Sequence, residues 1–475
     1  MKDLKWLTVG EIGAAYAGRQ LSPVELVQTL LAEIEARNPD YGAFIRVDAE
    51  GALSAARVAE AAIASGRRLG PLHGVPIGVK DNIDVAGLPT TCHSKILLDN
   101  IAREDAAAIG RLRAAGAILL GKQSLHEFAF GGPSQELPFP YARHPWNTDY
   151  HPGGSSSGSG VALAAGFVPL SLGTDAGGSI RNPAGNCGVV GLKPTYDLVS
   201  RHGVFPVAFT LDHVGPMARC VADVALMLDA EAHHDAGDPL SLPPPDRPFS
   251  EAVRNPRPPK RVGYTSNLGI GEVDAEVAAI CQQVVQKFSE FGAEVDDDHP
   301  DFSGGFESFQ TLRATLFAAV RGPLLDQHRD QICPEIIWNI EKGLQQDGAT
   351  MARAERLRGE LFLRVVDFFG HHDILACPTV AVSPFPVDQR YPKEINGQEL
   401  TSYIDWMYLT FVLTLTGCPV ISVPVGITRE GMPVGLQIMG RPRADADVLA
   451  AAQLMEQTGQ FAAMVPRLVK TSPIK

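Results

Sequence analysis

Two glycine- and serine-rich stretches stand close together in the chain: HPGGSSSGSG over residues 151–160 and GTDAGGSIRNPAG over 173–185. Three chemistries use sequence of this kind. A phosphate cradle of the Walker type needs a lysine directly after its second glycine to reach the terminal phosphates, and no lysine follows either stretch. A dinucleotide fingerprint counted from Gly158 ends on Leu163, where close packing demands a small residue. Flexible linkers are bordered by polar sequence, whereas these stretches abut VALAAGFVPLSLGTD and CGVVGLKP. What remains is a serine site built from two loops. Ser179 follows Ala176, Gly177 and Gly178, whose small side chains let successive backbone N–H groups turn toward one point and meet a tetrahedral oxyanion.

A nucleophilic serine needs a base. Of the 13 histidines, His73, His126 and His213 lie near glycine-rich segments, but none belongs to a motif that sets it beside Ser179, and each reads as a surface or packing residue. Lys80 ends the apolar run GVPIGVK. Burial there disfavours the charged amine, and a neutral lysine near pH 7 requires about 4 kcal/mol of such disfavour. A lysine at a strand end also serves as a salt-bridge partner, and spacing does not choose between the two.

The elements that must position these residues follow from periodicity. SPVELVQTLLAEIEARNP is an amphipathic helix with Ser22 as cap, Pro23 in its first turn and Glu25 completing a capping box; Asn38-Pro39 is its expected end. A second helix spans about residues 48–65. GVPIGVKD, GAILLGK, FVPLSLGTD and CGVVGLKPT then read as short buried strands, with the helix DAAAIGRLRAAG between the first two. Further on come RVGYTS, a helix over 274–291, helical sequence over 306–369, and the strands DILACPTVAV, PVISVPVGI and PVGLQIMG. This alternation predicts an α/β fold with a large mixed, mostly parallel twisted sheet covered by helices on both faces. The expected organisation is one domain over 1–475: N-terminal helices (1–70), a core carrying the chemistry (71–230), a proline-rich irregular connection (235–260) and a variable helical region (300–406).

Composition narrows the function. The 475 residues carry a formal net charge of −13 with no block of basic residues, which argues against nucleic acid or anionic lipid as partner. The N-terminal sequence has neither the basic start nor the apolar run of a signal peptide, and no run of about 18 apolar residues exists for a membrane span, so a cytoplasmic location is expected. Seven cysteines are scattered singly, without the spacing of a disulfide framework or a metal site. No cofactor and no metal are expected.

Several motifs recur in order along almost the whole chain: GPLHGVPIGVKDNIDVAGLPTT, GKQSLHEFAFG, PGGSSSGSGVALAAG, LGTDAGGSIRNPAGNCGVVGLKPT, DHVGPMARCVADVALML, TGCPVISVPVG and MPVGLQIMGRP. In these the chain resembles the amidase signature enzymes, which hydrolyse amide C–N bonds with a Ser-Ser-Lys triad. The resemblance implies Lys80 as base, Ser155 as relay and Ser179 as nucleophile, the two serines 24 positions apart. It also implies a cis Gly154-Ser155 bond and an oxyanion hole from the N–H groups of Ala176, Gly177 and Gly178. Ser156, Asp175 and Arg181 are expected to hold the two loops in register, and Phe130 and Gly131 to touch substrate. Departures are Ser157 in place of a glycine, RHPWN in place of RNPWD, and Cys92-His93 where small residues are usual; His93 is expected at the pocket mouth.

Residues 306–406 resemble the family least, and the aromatics there (Phe306, Phe309, Phe317, Trp338, Tyr403, Trp406) suggest a hydrophobic acyl or aryl group. The expected reaction is hydrolysis of a small, partly apolar amide, anilide or carbamate through an acyl-enzyme, with ester hydrolysis as a side activity. The expected partner is the small-molecule amide or carbamate substrate, with no nucleic acid and no membrane, and a homodimer is the candidate assembly. The alternatives are the A subunit of a tRNA-dependent amidotransferase and a non-catalytic binding scaffold.

Overall fold

The apolar runs become strands of one sheet. In chain order the strands are β1 (Phe44–Val47), β2 (Pro76–Lys80), β3 (Ile118–Gln123), β4 (Leu170–Asp175), β5 (Val190–Lys193), β6 (His213–Ala218), β7 (Arg261–Tyr264), β8 (Glu294–Asp296), β9 (Ile374–Pro378), β10 (Glu394–Ile395), β11 (Gln398–Glu399), β12 (Val420–Ile427) and β13 (Pro433–Gly440). The computed structural model describes residues 3–131, 138–204 and 211–459. Eleven of these strands lie in the order β1-β3-β2-β4-β6-β5-β12-β13-β9-β7-β8, and β10 and β11 form a separate ribbon.

The sheet is large and mixed, but it is not mostly parallel: four neighbouring pairs are parallel and six antiparallel. β6 is the main reason. It returns antiparallel between β4 and β5, and HVGPMA carries a proline and a glycine that hide it from a strand pattern. The short turn between β12 and β13 adds an antiparallel hairpin. β2, β3, β4, β5, β6 and β13 are buried along their whole length, as strands covered on both faces must be.

The first long helix runs over Pro23–Tyr41 and passes through Pro39 instead of ending at it. Pro39 removes the donor for the carbonyl of Glu35, an exposed residue whose carbonyl water can serve. The helix ends at Gly42, which takes the left-handed conformation (φ 60°) and returns its N–H to Asn38 O at 2.7 Å. Ser22 Oγ accepts the Glu25 N–H at 3.1 Å, one half of the expected capping box. The proline-rich connection is not wholly irregular, because Phe249–Arg254 forms a helix whose first N–H groups donate to Asp229.

β2 and β4 are parallel neighbours, so Lys80 and Thr174-Asp175 meet at the carboxyl end of the sheet, where open α/β sheets place their ligands. Two helices seat against the sheet around that edge: Ser157–Ala164 packs on β2, β3 and β4, and Arg181–Cys187 on β5, β12 and β13. The second seat is tight. A Cβ on Gly435 would lie 2.7 Å from Gly185 Cα and 2.9 Å from Thr379 Oγ1. Gly435→Ala is therefore expected to lift this helix from β13 and lower stability by roughly 1–3 kcal/mol, read as a fall in the urea midpoint with unchanged slope.

Candidate active site

Lys80 is the last residue of β2 and is fully buried. Its Nζ lies 2.8 Å from Ser155 Oγ, 2.7 Å from Thr174 Oγ1 and 3.3 Å from Thr174 O. The three oxygens can take the three N–H groups of the ammonium; in the neutral amine two N–H groups serve Thr174 and the lone pair is left facing the Ser155 hydroxyl. Among the described residues no carboxylate forms a salt bridge with Lys80. The adjacent Asp81 points elsewhere, to Lys122 Nζ at 3.4 Å and to the Thr91 N–H at 3.1 Å. Burial lowers the Lys80 pKa to about 7, against weaker opposing pulls from Asp175, Cys92 and Asp212. The positive end of the helix beginning just after Ser155 acts in the same direction as burial.

Ser155 and Ser156 form the turn into that helix, and the Gly154-Ser155 peptide is cis. The Ser156 N–H donates to Ser179 O at 3.0 Å, and its hydroxyl donates to Thr174 O at 3.3 Å. One residue thus ties the two glycine-rich loops together and to β4. Within the described residues the Ser155 and Ser179 hydroxyls do not hydrogen-bond to each other; the two loops are linked through the Ser156 N–H to Ser179 O bond.

The loop carrying Ser179 is wound around the Asp175 carboxylate. Asp175 accepts the Gly178 N–H at 2.6 Å, the Ile180 N–H at 3.2 Å and two donors of Arg181 at 3.0 and 3.1 Å. Arg181 also donates to Gln437 on β13 at 3.1 Å and to Thr414 at 2.7 Å. Burial alone would raise the Asp175 pKa, but Arg181 and the loop N–H groups outweigh it and hold the carboxyl below the ordinary carboxylate range. The expected role of Gly178 as an oxyanion donor is corrected here, because its N–H is committed to Asp175. The N–H groups of Ala176, Gly177 and Ser179 have no acceptor among the described residues. Gly178 takes φ +116°, where a Cβ would run into Thr410, and Thr410 Oγ1 donates to Gly177 O at 2.9 Å.

Ser179 opens on a partly open cavity of about 80 Å³. Phe130 and Gly131 line it, as expected, and so do Phe309 and Phe317. The other four aromatics of the variable region stand elsewhere. Phe306 packs on Phe411 and Tyr408, the Trp406 indole donates to Tyr403 O, Tyr403 hydrogen-bonds the buried Arg313, and Trp338 is 41% exposed. His93 is fully buried against Leu125 O and does not reach the cavity, which corrects its placement at the mouth. Residue pattern alone left Phe128, Leu211, Asp212, Met407 and Phe411 unassigned, and all line the cavity. His73, His126 and His213 are buried packing residues. The seven cysteines are all buried and unpaired. Among the described residues no group of three or more His, Cys, Asp or Glu could hold a metal ion, and no helix is long and apolar enough to cross a membrane.

The family model Amidase matches residues 25–449. This chain belongs to the amidase family. It is an amidase, a hydrolase of amide C–N bonds. The chain is 35% identical to an acylamidase of Rhodococcus erythropolis over 98% of both chains. It is also 35% identical to a glutamyl-tRNA(Gln) amidotransferase subunit of Chloroflexus aggregans, over 99% of this chain and 100% of that one. Among solved structures, a bacterial aryl acylamidase of the amidase signature family superposes with a TM-score of 0.90 at 27% identity, covering 96% of this chain and 97% of that one. A 6-aminohexanoate cyclic dimer hydrolase gives 0.89 at 27% identity, covering 98% and 99%.

The Asp175–Arg181 pair is the loop's internal brace. Arg181→Met removes one partner and leaves a buried, unpaired carboxylate, so the variant is expected to lose about 3–5 kcal/mol of stability. Denaturant unfolding of the variant against the parent measures it.

Proposed function

We propose that this amidase hydrolyses a small, partly apolar carboxylic amide, an anilide or carbamate included, through an acyl-enzyme on Ser179, with the whole chain acting as one unit. The carrying observation is the full burial of Lys80 with its amine 2.8 Å from the Ser155 hydroxyl, next to the cavity onto which Ser179 opens. In this reading the substrate carbonyl oxygen takes the N–H groups of Ala176, Gly177 and Ser179. Ser179 Oγ attacks the carbonyl carbon; its proton passes to Ser155 as Ser155 gives its own to Lys80 Nζ. The tetrahedral oxyanion collapses, the C–N bond breaks, and the proton returns from Lys80 through Ser155 to the departing nitrogen. Water repeats the sequence on the ester and releases the acid. Each oxyanion donor in sites of this kind contributes roughly 2.7–4 kcal/mol to the barrier reduction. The phenylalanines and other apolar side chains of the cavity support a hydrophobic acyl or aryl group, and the likeness to an acylamidase and an aryl acylamidase supports the same class.

A second reading, in which the chain works with partner proteins, is favoured by the 35% identity to a component of an amidotransferase. Turnover of a simple anilide by the purified chain alone would count against it.

Mass spectrometry after brief exposure to an activated aryl amide is expected to show one acyl group on Ser179 and none in Ser179→Ala; an unmodified Ser179 with turnover intact would defeat the proposal. The pH profile follows from the base. Only neutral Lys80 accepts a proton, so kcat/KM should rise with pH and level off above about 7. Lys80→Ala should lose about 10²–10⁴-fold in kcat/KM and with it this limb of the profile.

A further inference from the structure

Asp212 has no part in the mechanism above, yet it stands in the wall of the same cavity. It immediately precedes β6, which runs antiparallel to β4 with His213 opposite Asp175 and Val214 opposite Thr174. Carried one residue further, that register sets Asp212 across from Ala176. Opposed residues of an antiparallel pair share a face, and alternate residues along a strand return to it. Asp212 therefore stands on the face of Val214 and Thr174, and the Thr174 hydroxyl is the one that holds Lys80.

The side chain is 1% exposed and lines the cavity together with Ser179, Ala176 and Gly177. Its Oδ2 is buried with no hydrogen-bond partner among the described residues, and neither oxygen forms an ion pair there. A buried acceptor left without a donor is costly, so an oxygen kept in that state in the wall of the cavity onto which Ser179 opens points to a donor brought by the ligand. The chemistry of the donor follows from the surroundings. Burial raises the carboxyl to about 7, while Arg201 and Arg321 favour its charged form; above that pH it is a carboxylate with cations already near it, so a further cation is not called for and a neutral N–H suits the position. For the departing nitrogen to be protonated, its lone pair must face Ser155. An acceptor that holds the N–H on the other side fixes that rotation.

We infer that Asp212 accepts the N–H of the scissile amide, orienting the leaving nitrogen toward Ser155, and so selects substrates with a hydrogen on the reacting nitrogen over esters. The inference rests on the amidase reading above and names its substrate class. A site built to bind an N–H discriminates against the analogue that lacks it, because its own polar group is then left unpaired.

The test compares the parent with Asp212→Leu and Asp212→Asn on a matched pair, the 4-nitroanilide and the 4-nitrophenyl ester of one aliphatic acid, each at its alkaline plateau. Both substrates give the same acyl-enzyme, so kcat/KM isolates the step in which the leaving group differs. Asp212→Leu should lower the anilide-to-ester ratio of kcat/KM by roughly 10- to 100-fold, and Asp212→Asn, which keeps a carbonyl acceptor, should recover part of that. Should the leucine variant not fold, the asparagine variant must still lower the ratio. An unchanged ratio overturns the role of Asp212 while leaving the amidase reading intact, provided a serine-reactive phosphonate labels Ser179. Failure of the parent to turn over either substrate or to be labelled overturns both.

Discussion

Burying a lysine amine with no carboxylate beside it is the constraint around which this molecule is arranged. Lowering the pKa from 10.5 to about 7 corresponds to disfavouring the ammonium by about 5 kcal/mol. The fold surrounds the amine with oxygens that serve it without a charge of their own. β2 and β4 run parallel and end together, so the Thr174 carbonyl and hydroxyl sit where the two N–H groups of Lys80 point. The loop into the helix Ser157–Ala164 then presents the Ser155 hydroxyl to the remaining lone pair. Asp81 and Lys122 neutralise each other on the same strand pair, which keeps the nearest carboxylate occupied.

The Ser179 loop solves a separate problem with the opposite means. There a full charge pair, Asp175 with Arg181, is buried and saturated with donors. Its rigidity turns the Gly178 and Ile180 N–H groups inward and leaves those of Ala176, Gly177 and Ser179 for a ligand. Ser156 couples the two solutions, since it bonds Ser179 O and Thr174 O at once. The buried lysine and the charged brace thus share a wall of one cavity.

Much of this was legible in the sequence, and what was not has identifiable reasons. The glycine-serine clusters and the resemblance they carry placed Lys80, Ser155, Ser156, Asp175, Arg181 and Ser179 around one point. Spacing left the state of Lys80 open, because the answer depends on what Asp81 does, and its partner Lys122 is 41 positions away. Desolvation by itself would also mislead. Lys193 is as buried and is likewise lowered to about 7, but it faces the carbonyls of Cys418 and Pro194 and the ring of His213, and among the described residues no serine bonds to it. The commitment of the Gly178 N–H follows from the loop closing on Asp175, which small residues alone do not reveal. β6 escaped periodicity through Pro216, and with it went the placement of Asp212. The variable aromatics divided between lining and core, since a helix of 17 residues such as Gly305–Arg321 presents Phe309 to the cavity and Phe306 to Phe411 and Tyr408.

Whether Lys80 can act as a base comes down to one proton at pH 7. It is tested most directly by NMR titration of the protein with labelled lysine side chains, reading the Lys80 Cε and Nζ shifts and assigning the signal by its loss in Lys80→Ala. A midpoint near 7 is expected. A midpoint near the ordinary 10.5 would mean that Lys80 carries its charge throughout the working range, and the proton path built on it would be contradicted.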